Sequence, residues 1–255
     1  MTSMPDATIR LEPADFRGVT LVGGGPGDPD LITVAGLKAL FGADVVVTDR
    51  LAPRELLAQL SPTVQLIDVA KVPRSRFTAQ EDINRILIEQ ARAGKKVVRL
   101  KGGDNYVFGR GFEEVLALQE AGVPVRVIPG LSSSISVPAL AGIPVTHRGV
   151  VHEFTVLSGH IPPGHADSLV NWDAVAAMRG TLVLLMAVEN AGAIAGALIA
   201  AGRDEAQPVA VVADGALPTQ QVVRTTLGRL GEDIVAQGVN PPAIIVIGDV
   251  VALGD

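Results

Sequence analysis

Short β-branched apolar runs alternate with segments of helical periodicity along the first half of the chain. Runs such as VVV at 45–47 are apolar at every position, which is typical of strands buried on both faces. The alternation predicts a parallel sheet covered by helices. The predicted strands are Val19–Val22, Asp44–Thr48, Val64–Val69, Lys96–Leu100 and Val125–Ile128, and the predicted helices include Gln80–Ala93 and Phe112–Ala121.

The second half repeats the alternation with a different connectivity. The runs at 208–212 and 221–226 leave no room for a helix between them, so they predict an antiparallel pair and a mixed sheet. The predicted strands are Glu153–Leu157, Thr181–Met186, Pro208–Val212, Gln221–Thr226 and Ala243–Gly248, with helices at Trp172–Met178 and Ala191–Ala201. The predicted fold class is therefore α/β, with a mostly parallel N-terminal sheet and a mixed C-terminal sheet.

These patterns divide the chain into four parts. Residues 1–17 form a polar leader, 18–130 an N-terminal α/β domain and 153–255 a C-terminal α/β domain. The segment 131–152 between them mixes Pro, Gly and Ser without sustained periodicity, which predicts a connection between domains or a functional loop.

Composition and charge narrow the classes of function. The net charge of −6 argues against a general nucleic-acid binder, because neutralising phosphates requires a basic surface. No run reaches the roughly 18 apolar residues of a membrane span, and the first twenty residues lack an apolar signal core, so the expected location is the cytoplasm. Cysteine is absent, and the four histidines lack a zinc-binding pattern, so we predict no metal site.

A glycine-rich loop follows the first predicted strand. GGGPGDPD, residues 23–30, is explained in part as a strand-to-helix turn in which Asp28 caps the next helix and Pro29 occupies its first turn. A dinucleotide fingerprint needs glycine where Asp28 stands, and a P-loop needs a closing Gly-Lys-Ser/Thr. The remaining G-x-G-x-G pattern also occurs in Rossmann-like methyltransferases that bind S-adenosylmethionine.

A second glycine loop, RLKGGDNYVFGRGFEE at 99–114, follows another apolar strand. In open α/β sheets ligands bind beyond the carboxyl ends of the strands, so the two loops are expected to wall one crevice. The alternative for Asp104 is a side chain bonded to its own loop backbone. Together with VVVTDRL at 45–51 and PGLSSSISVPALAGIPVTHRG at 129–149, these loops resemble the tetrapyrrole (corrin/porphyrin) methylase family.

The resemblance implies a two-domain fold, a homodimer, and S-adenosylmethionine held in a cleft between domains. It covers about Val19 to Ile247. This sequence departs from the family pattern at Asn105-Tyr106, where proline and an aromatic residue are usual, and at Ala213-Asp214, where an acidic residue and asparagine are usual. The cofactor-binding residues it implies are Pro26, Gly102, Gly103, Asp104, Val107, Ser132, Ser133, Met186, Gly215 and Ala243, with Pro242 beside the last. Without the resemblance, Met186 is equally well explained as a buried strand residue.

The resemblance also implies methyl transfer to a pyrrole carbon, with Asp49 as proton acceptor and Lys71 as proton donor. Both residues follow predicted strands. The alternatives from the residues alone are a helix cap for Asp49 and a solvated surface side chain for Lys71. A protein that binds the cofactor without turnover, and a glycine-loop methyltransferase acting on another small molecule, remain as alternative functions.

Substrate charge gives a further expectation, because the tetrapyrroles that the resemblance implies carry many carboxylates. Arginine pairs well with planar carboxylates. The expected substrate-binding residues are Arg50, Arg74, Arg110 and Arg148. Six basic residues against one acid between positions 92 and 110 suggest a local basic surface: Arg92, Lys95, Lys96, Arg99, Lys101 and Arg110.

Overall fold

The computed structural model describes residues 16–70 and 79–254. The chain folds as two units that divide between Leu131 and Ser132. The predicted connection 131–152 contains a helix, Ser133–Leu140, that belongs to the second unit. Its Pro and Ser content hides it from the helical pattern, and its packing against the second sheet stabilises it.

The first unit is built around a five-stranded sheet in which every neighbouring pair is parallel. The strand order is β3-β2-β4-β1-β5. The strands are β1 (Gly18–Gly23), β2 (Val45–Thr48), β3 (Gln65–Asp68), β4 (Lys96–Lys101) and β5 (Val125–Ile128). The helices are α1 (Val34–Phe41), α2 (Arg54–Ala58), α3 (Gln80–Arg92) and α4 (Gly111–Glu120). The predicted parallel sheet is confirmed.

Helices cover both faces of this sheet because alternate strand residues point to opposite sides. Val22 and Val46 pack with α1 and α2 on one face. Leu21 and Val47 pack with α3 and α4 on the other. Strands buried on both faces are apolar at consecutive positions, and β1 and β2 follow this rule.

The second unit contains a mixed five-stranded sheet, as predicted. Its order is β6-β7-β10-β8-β9, in which only β6 and β7 are parallel. The strands are β6 (Phe154–Ser158), β7 (Thr181–Leu185), β8 (Pro208–Ala213), β9 (Gln221–Thr226) and β10 (Ala243–Ile247). The helices are α5 (Ser133–Leu140), α6 (Trp172–Ala177), α7 (Ala191–Ala200) and α8 (Leu230–Ala236). The helices α6, α7 and α8 pack on one face and α5 on the other.

Candidate functional site

The loops after β1 and β4 meet at the switch point of the first sheet. These strands are neighbours, but the chain leaves β1 toward the face covered by α1 and leaves β4 toward the face covered by α4. In open α/β sheets, ligands bind where the connections of adjacent strands diverge in this way. The topology therefore places both glycine loops at the position where a ligand is expected.

Backbone contacts hold the two loops together. The Gly25 N–H donates to the Gly103 carbonyl at 3.2 Å, and the Gly103 N–H donates back to Gly25 at 2.6 Å. The Gly24 N–H also donates to the carbonyl of Lys101, at 2.7 Å. A Cβ at Gly23 would lie 2.5 Å from the backbone nitrogen of Gly130, at the end of β5. Three loop backbones thus approach more closely than side chains allow, which explains the density of glycine.

Asp104 stabilises this meeting of loops through its side chain. One carboxylate oxygen accepts from the Tyr106 and Val107 N–H groups at 2.8 and 3.3 Å, and the other accepts from the Gly130 N–H at 3.0 Å. Asn105, at the position that departs from the family pattern, is fully buried and donates to the Ile128 carbonyl at 2.8 Å. The alternative interpretation of Asp104, a side chain bonded to its own loop backbone, is confirmed by the bonds from Tyr106 and Val107, and Asp104 also bonds the backbone of the loop after β5.

The first loop also holds the predicted cap. The Asp28 carboxylate accepts from the Asp30 N–H at 2.8 Å, and Pro29 is the first residue of a short 3-10 turn. The α-helix that follows begins at Val34 and is capped by the Thr33 side chain. Asp28 therefore caps the turn between β1 and α1 instead of the α-helix itself, and Pro26 lies partly exposed just before it.

Asp49 follows β2 at the same edge of the sheet. One of its oxygens accepts from the Leu51 N–H at 3.2 Å, and the other accepts from Nη2 of Arg99 at 3.3 Å. The next helix, α2, has Pro53 at its cap position, so the interpretation of Asp49 as a helix cap is wrong. Its side chain remains 30 % exposed, so solvent or a ligand reaches the carboxylate.

Three buried charged residues lie behind Asp49, and we call Arg99, Lys101 and Glu114 the Arg99 cluster. One Glu114 oxygen accepts from Nε of Arg99 at 3.1 Å and from Nζ of Lys101 at 3.2 Å. Glu114 is fully buried, and Arg99 and Lys101 are 2 % and 5 % exposed. Burial lowers the pKa of the Lys101 ammonium, and the adjacent Arg99 charge lowers it further.

The Arg99 cluster corrects the expectation of a basic surface between positions 92 and 110. Arg99 and Lys101 are buried and paired with Glu114, so they offer no charge to a surface ligand. Lys95 and Lys96 lie at the amino end of β4, away from the glycine loops. Of the six basic residues, only Arg110 lies in the segment between β4 and α4, where it forms two hydrogen bonds to Glu113 at 2.7 and 2.9 Å.

The remaining predicted residues of the first half fall into two groups. Arg50 and Val107 are exposed in the loops after β2 and β4. Lys71 and Arg74 lie outside the described residues, so their predicted roles stay predictions.

The second unit gathers its predicted residues at one edge of its own sheet. Because β10 is antiparallel to β7 and β8, the start of β10 lies beside the ends of both neighbours. Met186 follows β7, Gly215 follows β8, and Ala243 begins β10. Met186 is 49 % exposed, so its interpretation as a buried strand residue is wrong. A Cβ at Gly215 would lie 2.3 Å from Cγ1 of Val137 on α5, which explains glycine at this position.

Ser132 and Ser133 open helix α5. The Ser132 hydroxyl accepts from the Ser134 N–H at 3.3 Å and shares a hydrogen bond with the Ser134 hydroxyl at 2.8 Å. Ser132 therefore acts as an N-cap, while Ser133 is half-buried in the first turn. Arg148 is exposed in the loop before β6, where its carbonyl is bonded to the His152 ring at 2.7 Å.

Backbone conformation marks the same loops independently of residue type. Among the described residues, the non-glycine residues with positive φ are Phe108, Arg110, Met186, Asp214 and Ala216, with φ between 49° and 70°. The first two lie in the loop after β4, and the others follow β7 and β8. Such conformations are uncommon for residues with a Cβ and concentrate at ligand sites. The sequence gives no signal for them.

Two kinds of feature are absent from the described residues. No group of three or more His, Asp or Glu side chains is arranged there to hold a metal ion. None of the helices in these ranges combines the length and apolar character that crossing a bilayer requires.

Comparisons with known proteins agree with this geometry. The model of the tetrapyrrole (corrin/porphyrin) methylases matches residues 18–231. The chain is 46 % identical over 242 residues to a uroporphyrinogen-III C-methyltransferase of Sinorhizobium sp., covering 94 % of this chain and 86 % of that protein. It is 45 % identical to the Methanocaldococcus jannaschii protein of the same name, covering 93 % and 98 %.

Solved structures show the same fold. The uroporphyrin-III C-methyltransferase of Thermus thermophilus in complex with S-adenosylhomocysteine aligns with a TM-score of 0.78 and 39 % identity, over 92 % of this chain and 94 % of that one. A cobalt precorrin-4 methyltransferase aligns with a TM-score of 0.82 at 28 % identity, over 91 % and 95 %. The chain therefore belongs to the tetrapyrrole (corrin/porphyrin) methylase family.

Proposed function

We propose that this protein is a uroporphyrinogen-III C-methyltransferase. It transfers methyl groups from S-adenosylmethionine to C2 and C7 of uroporphyrinogen III, which gives precorrin-2 and releases S-adenosylhomocysteine. The observation that carries the proposal is the meeting of both glycine loops at the β1/β4 switch point, with the Asp49 carboxylate at the end of the neighbouring strand. The identity of 45–46 % to relatives with this name, over nearly the whole chain, supports the choice of substrate.

The residues proposed to bind S-adenosylmethionine form two sets, one in each unit. In the first unit, closely packed glycine backbones let a ligand approach the main chain. The proposed cofactor contacts of this unit are Pro26, Gly102, Gly103, Asp104 and Val107. In the second unit, the half-exposed Met186 offers an apolar surface suited to an adenine ring. The other proposed cofactor contacts of the second unit are Ser132, Ser133, Gly215 and Ala243. When bound, S-adenosylmethionine supplies an activated methyl group, so no metal is required for the transfer.

The chain itself has to orient the acceptor carbon and remove a proton from the methylated ring. Asp49 suits the second task because its carboxylate is held at both oxygens and remains partly exposed. Lys71 is the proposed proton donor. Arg50, Arg74, Arg110 and Arg148 are proposed to pair with the substrate's carboxylates, for which the planar guanidinium is well shaped.

A second candidate is a later precorrin methyltransferase of the same fold. The high structural similarity to a cobalt precorrin-4 methyltransferase favours it, although the identity to that protein is lower. A protein that binds S-adenosylmethionine without turnover is the third candidate.

Siroheme synthases are also among the relatives, at 42 % identity, and the chain spans about half the length of those proteins. The product is thus proposed to supply either cobalamin or sirohaem synthesis.

The homodimer and the cytoplasmic location stay predictions. An exposed apolar face supports the dimer: Phe112 and Leu116 on α4 are 57 % and 51 % exposed, and Tyr106 packs edge-on against Phe112 with ring centroids 5.8 Å apart. A second copy covering this face would remove apolar surface from water. Sedimentation equilibrium gives the molar mass in solution, and a monomer at micromolar concentration would refute the dimer.

The proposed function is tested in two steps. Calorimetry with S-adenosylhomocysteine measures cofactor binding, and an absorbance assay supplies uroporphyrinogen III and a later precorrin side by side. We expect a dimethylated product from uroporphyrinogen III only. Asp49→Asn should retain affinity for S-adenosylhomocysteine while kcat falls by about 10²–10⁴-fold, the usual contribution of a general base. Full activity of Asp49→Asn would show that another group accepts the proton.

A further inference from the structure

The Arg99 cluster breaks the rule that strands buried on both faces are apolar. Strand β4 carries Arg99 where its neighbours carry Leu21 and Val47, and Lys101 where β1 carries Gly23. Removing charges from water is costly, and a buried pair is often no more stable than apolar residues of similar size. Such a departure from the local rule is expected where function requires it.

The guanidinium of Arg99 is fixed on every side. Its Nε donates to Glu114 at 3.1 Å, its Nη1 donates to the Leu100 carbonyl at 3.1 Å, and its Nη2 donates to Asp49 at 3.3 Å. The planar fork has little freedom once three directions are held. Its position therefore determines where the Nη2 donor lies, and among the described residues this donor is the side-chain partner of Asp49.

Charge balance allows Arg99 to be buried beside Asp49. Glu114 shares its negative charge between Arg99 and Lys101, and Nε2 of Gln80 reaches the same oxygen at 3.3 Å. Only one of the guanidinium's hydrogen bonds goes to Asp49. At 3.3 Å this bond is longer than the 2.7–2.9 Å usual for charge-assisted pairs, so it orients the carboxylate without binding it tightly.

We propose that Arg99, held by Glu114, is a positioning residue that orients the Asp49 carboxylate for proton acceptance. This inference rests on the proposed function, since it concerns the same reaction. Arg99 acts through Asp49 and does not itself contact substrate. With the Leu51 N–H on the other oxygen, Arg99 fixes the direction in which the free lone pairs of the carboxylate point.

The test is a double-mutant cycle between Arg99→Lys and Asp49→Asn. Lysine retains a positive charge beside Glu114 but lacks the fork, so it keeps the cluster's charge and loses the orientation. We expect kcat to fall about 10-fold or more in the wild-type background, with KM for S-adenosylmethionine changed less than about twofold. In the Asp49→Asn background the same substitution should have no further effect, because the residue it orients no longer accepts a proton. Transfer of a radiolabelled methyl group measures the low residual rates.

Arg203 supplies the matched control, since it is also a buried arginine. It is 8 % exposed in the second unit and donates to the carbonyls of Val175 and Gly180 at 3.3 and 3.0 Å. Arg203→Lys should lower kcat by the same factor in both backgrounds, if it lowers it at all. Arg99→Gln is a second variant, and its affinity for S-adenosylhomocysteine reports whether it is folded.

The outcomes separate the two proposals. If Arg99→Lys lowers kcat by the same factor in both backgrounds, and the wild-type protein methylates uroporphyrinogen III, only the positioning role is overturned. Absence of product from the wild-type protein would overturn the proposed function and this inference with it. A loss confined to the wild-type background supports the positioning role.

Discussion

Gly130→Ala tests the close approach of the three loops in the first unit. A Cβ at Gly130 would lie 2.3 Å from the Gly103 carbonyl oxygen and 2.6 Å from the Gly23 carbonyl carbon. Ordinary contact begins at 3.4 Å, so the overlap with Gly103 is 3.4 − 2.3 = 1.1 Å. Both neighbours are backbone atoms, so no side chain can rotate away. Relief requires the loops to separate.

The cost follows from what that separation disrupts. The Gly130 N–H bond to Asp104 is 3.0 Å long, and the Gly25–Gly103 pair adds bonds of 2.6 and 3.2 Å. Overpacking costs about 1–3 kcal/mol, and each weakened hydrogen bond about 1 kcal/mol. We expect the free energy of unfolding to fall by roughly 3 kcal/mol, which lowers the urea midpoint by about 1–3 M.

Urea titrations followed by far-UV circular dichroism measure this change, and calorimetry with S-adenosylhomocysteine measures its effect on the site. We expect at least a tenfold loss of affinity, because the displaced loops carry proposed cofactor contacts. Gly94→Ala is the control: its Cβ would meet nothing within 4 Å, and its φ of 80° costs only about 1–2 kcal/mol. A Gly130→Ala protein with wild-type midpoint and affinity would refute the argument.

Two further predictions concern Lys101 and Gly215. Burial lowers the pKa of Lys101 below its ordinary 10.5, so between the two values the unfolded chain binds more protons than the folded one. The free energy of unfolding of the wild-type protein, measured relative to that of Lys101→Met, should therefore rise with pH in this window by at most about 1.4 kcal/mol per pH unit. Urea titrations of both proteins up to about pH 10 check this. A difference between the two proteins that does not change with pH contradicts it. Gly215→Ala should destabilise by about 1–3 kcal/mol through its overlap with Val137. Adding Val137→Ala to the Gly215→Ala protein should recover part of that loss. If urea titrations show that the changes in unfolding free energy of the two single variants add up to that of the double variant, the overlap with Val137 is not the cause.

The central strands could be predicted because burial on both faces selects apolar residues at consecutive positions, and the partly exposed edge strand Gln221–Thr226 because it is rich in Val and Thr. Gln221–Thr226 and Val125–Ile128 have the predicted ends, and the other strands differ by a residue or so. The short helix Arg54–Ala58 had no such signal, since five residues are too few to show a period.

The candidate site was only partly visible in the sequence. The glycine loops and Asp49 stand out because they follow apolar runs. The surroundings of Asp49 do not, since Arg99 and Lys101 are of the same residue types as the nearby Arg92, Lys95 and Lys96, which are not buried. Their burial depends on Glu114, which is contributed by another element, α4.

Local sequence pattern was enough to establish the α/β class, the two sheets and the loops that carry the conspicuous glycines, because these depend on local periodicity and on which residues tolerate close backbone approach. The folded chain was needed to establish which charges are buried, which side chain orients Asp49, and which loop residues adopt positive φ. Those properties arise when distant segments pack against one another, and a residue's type does not record its neighbours.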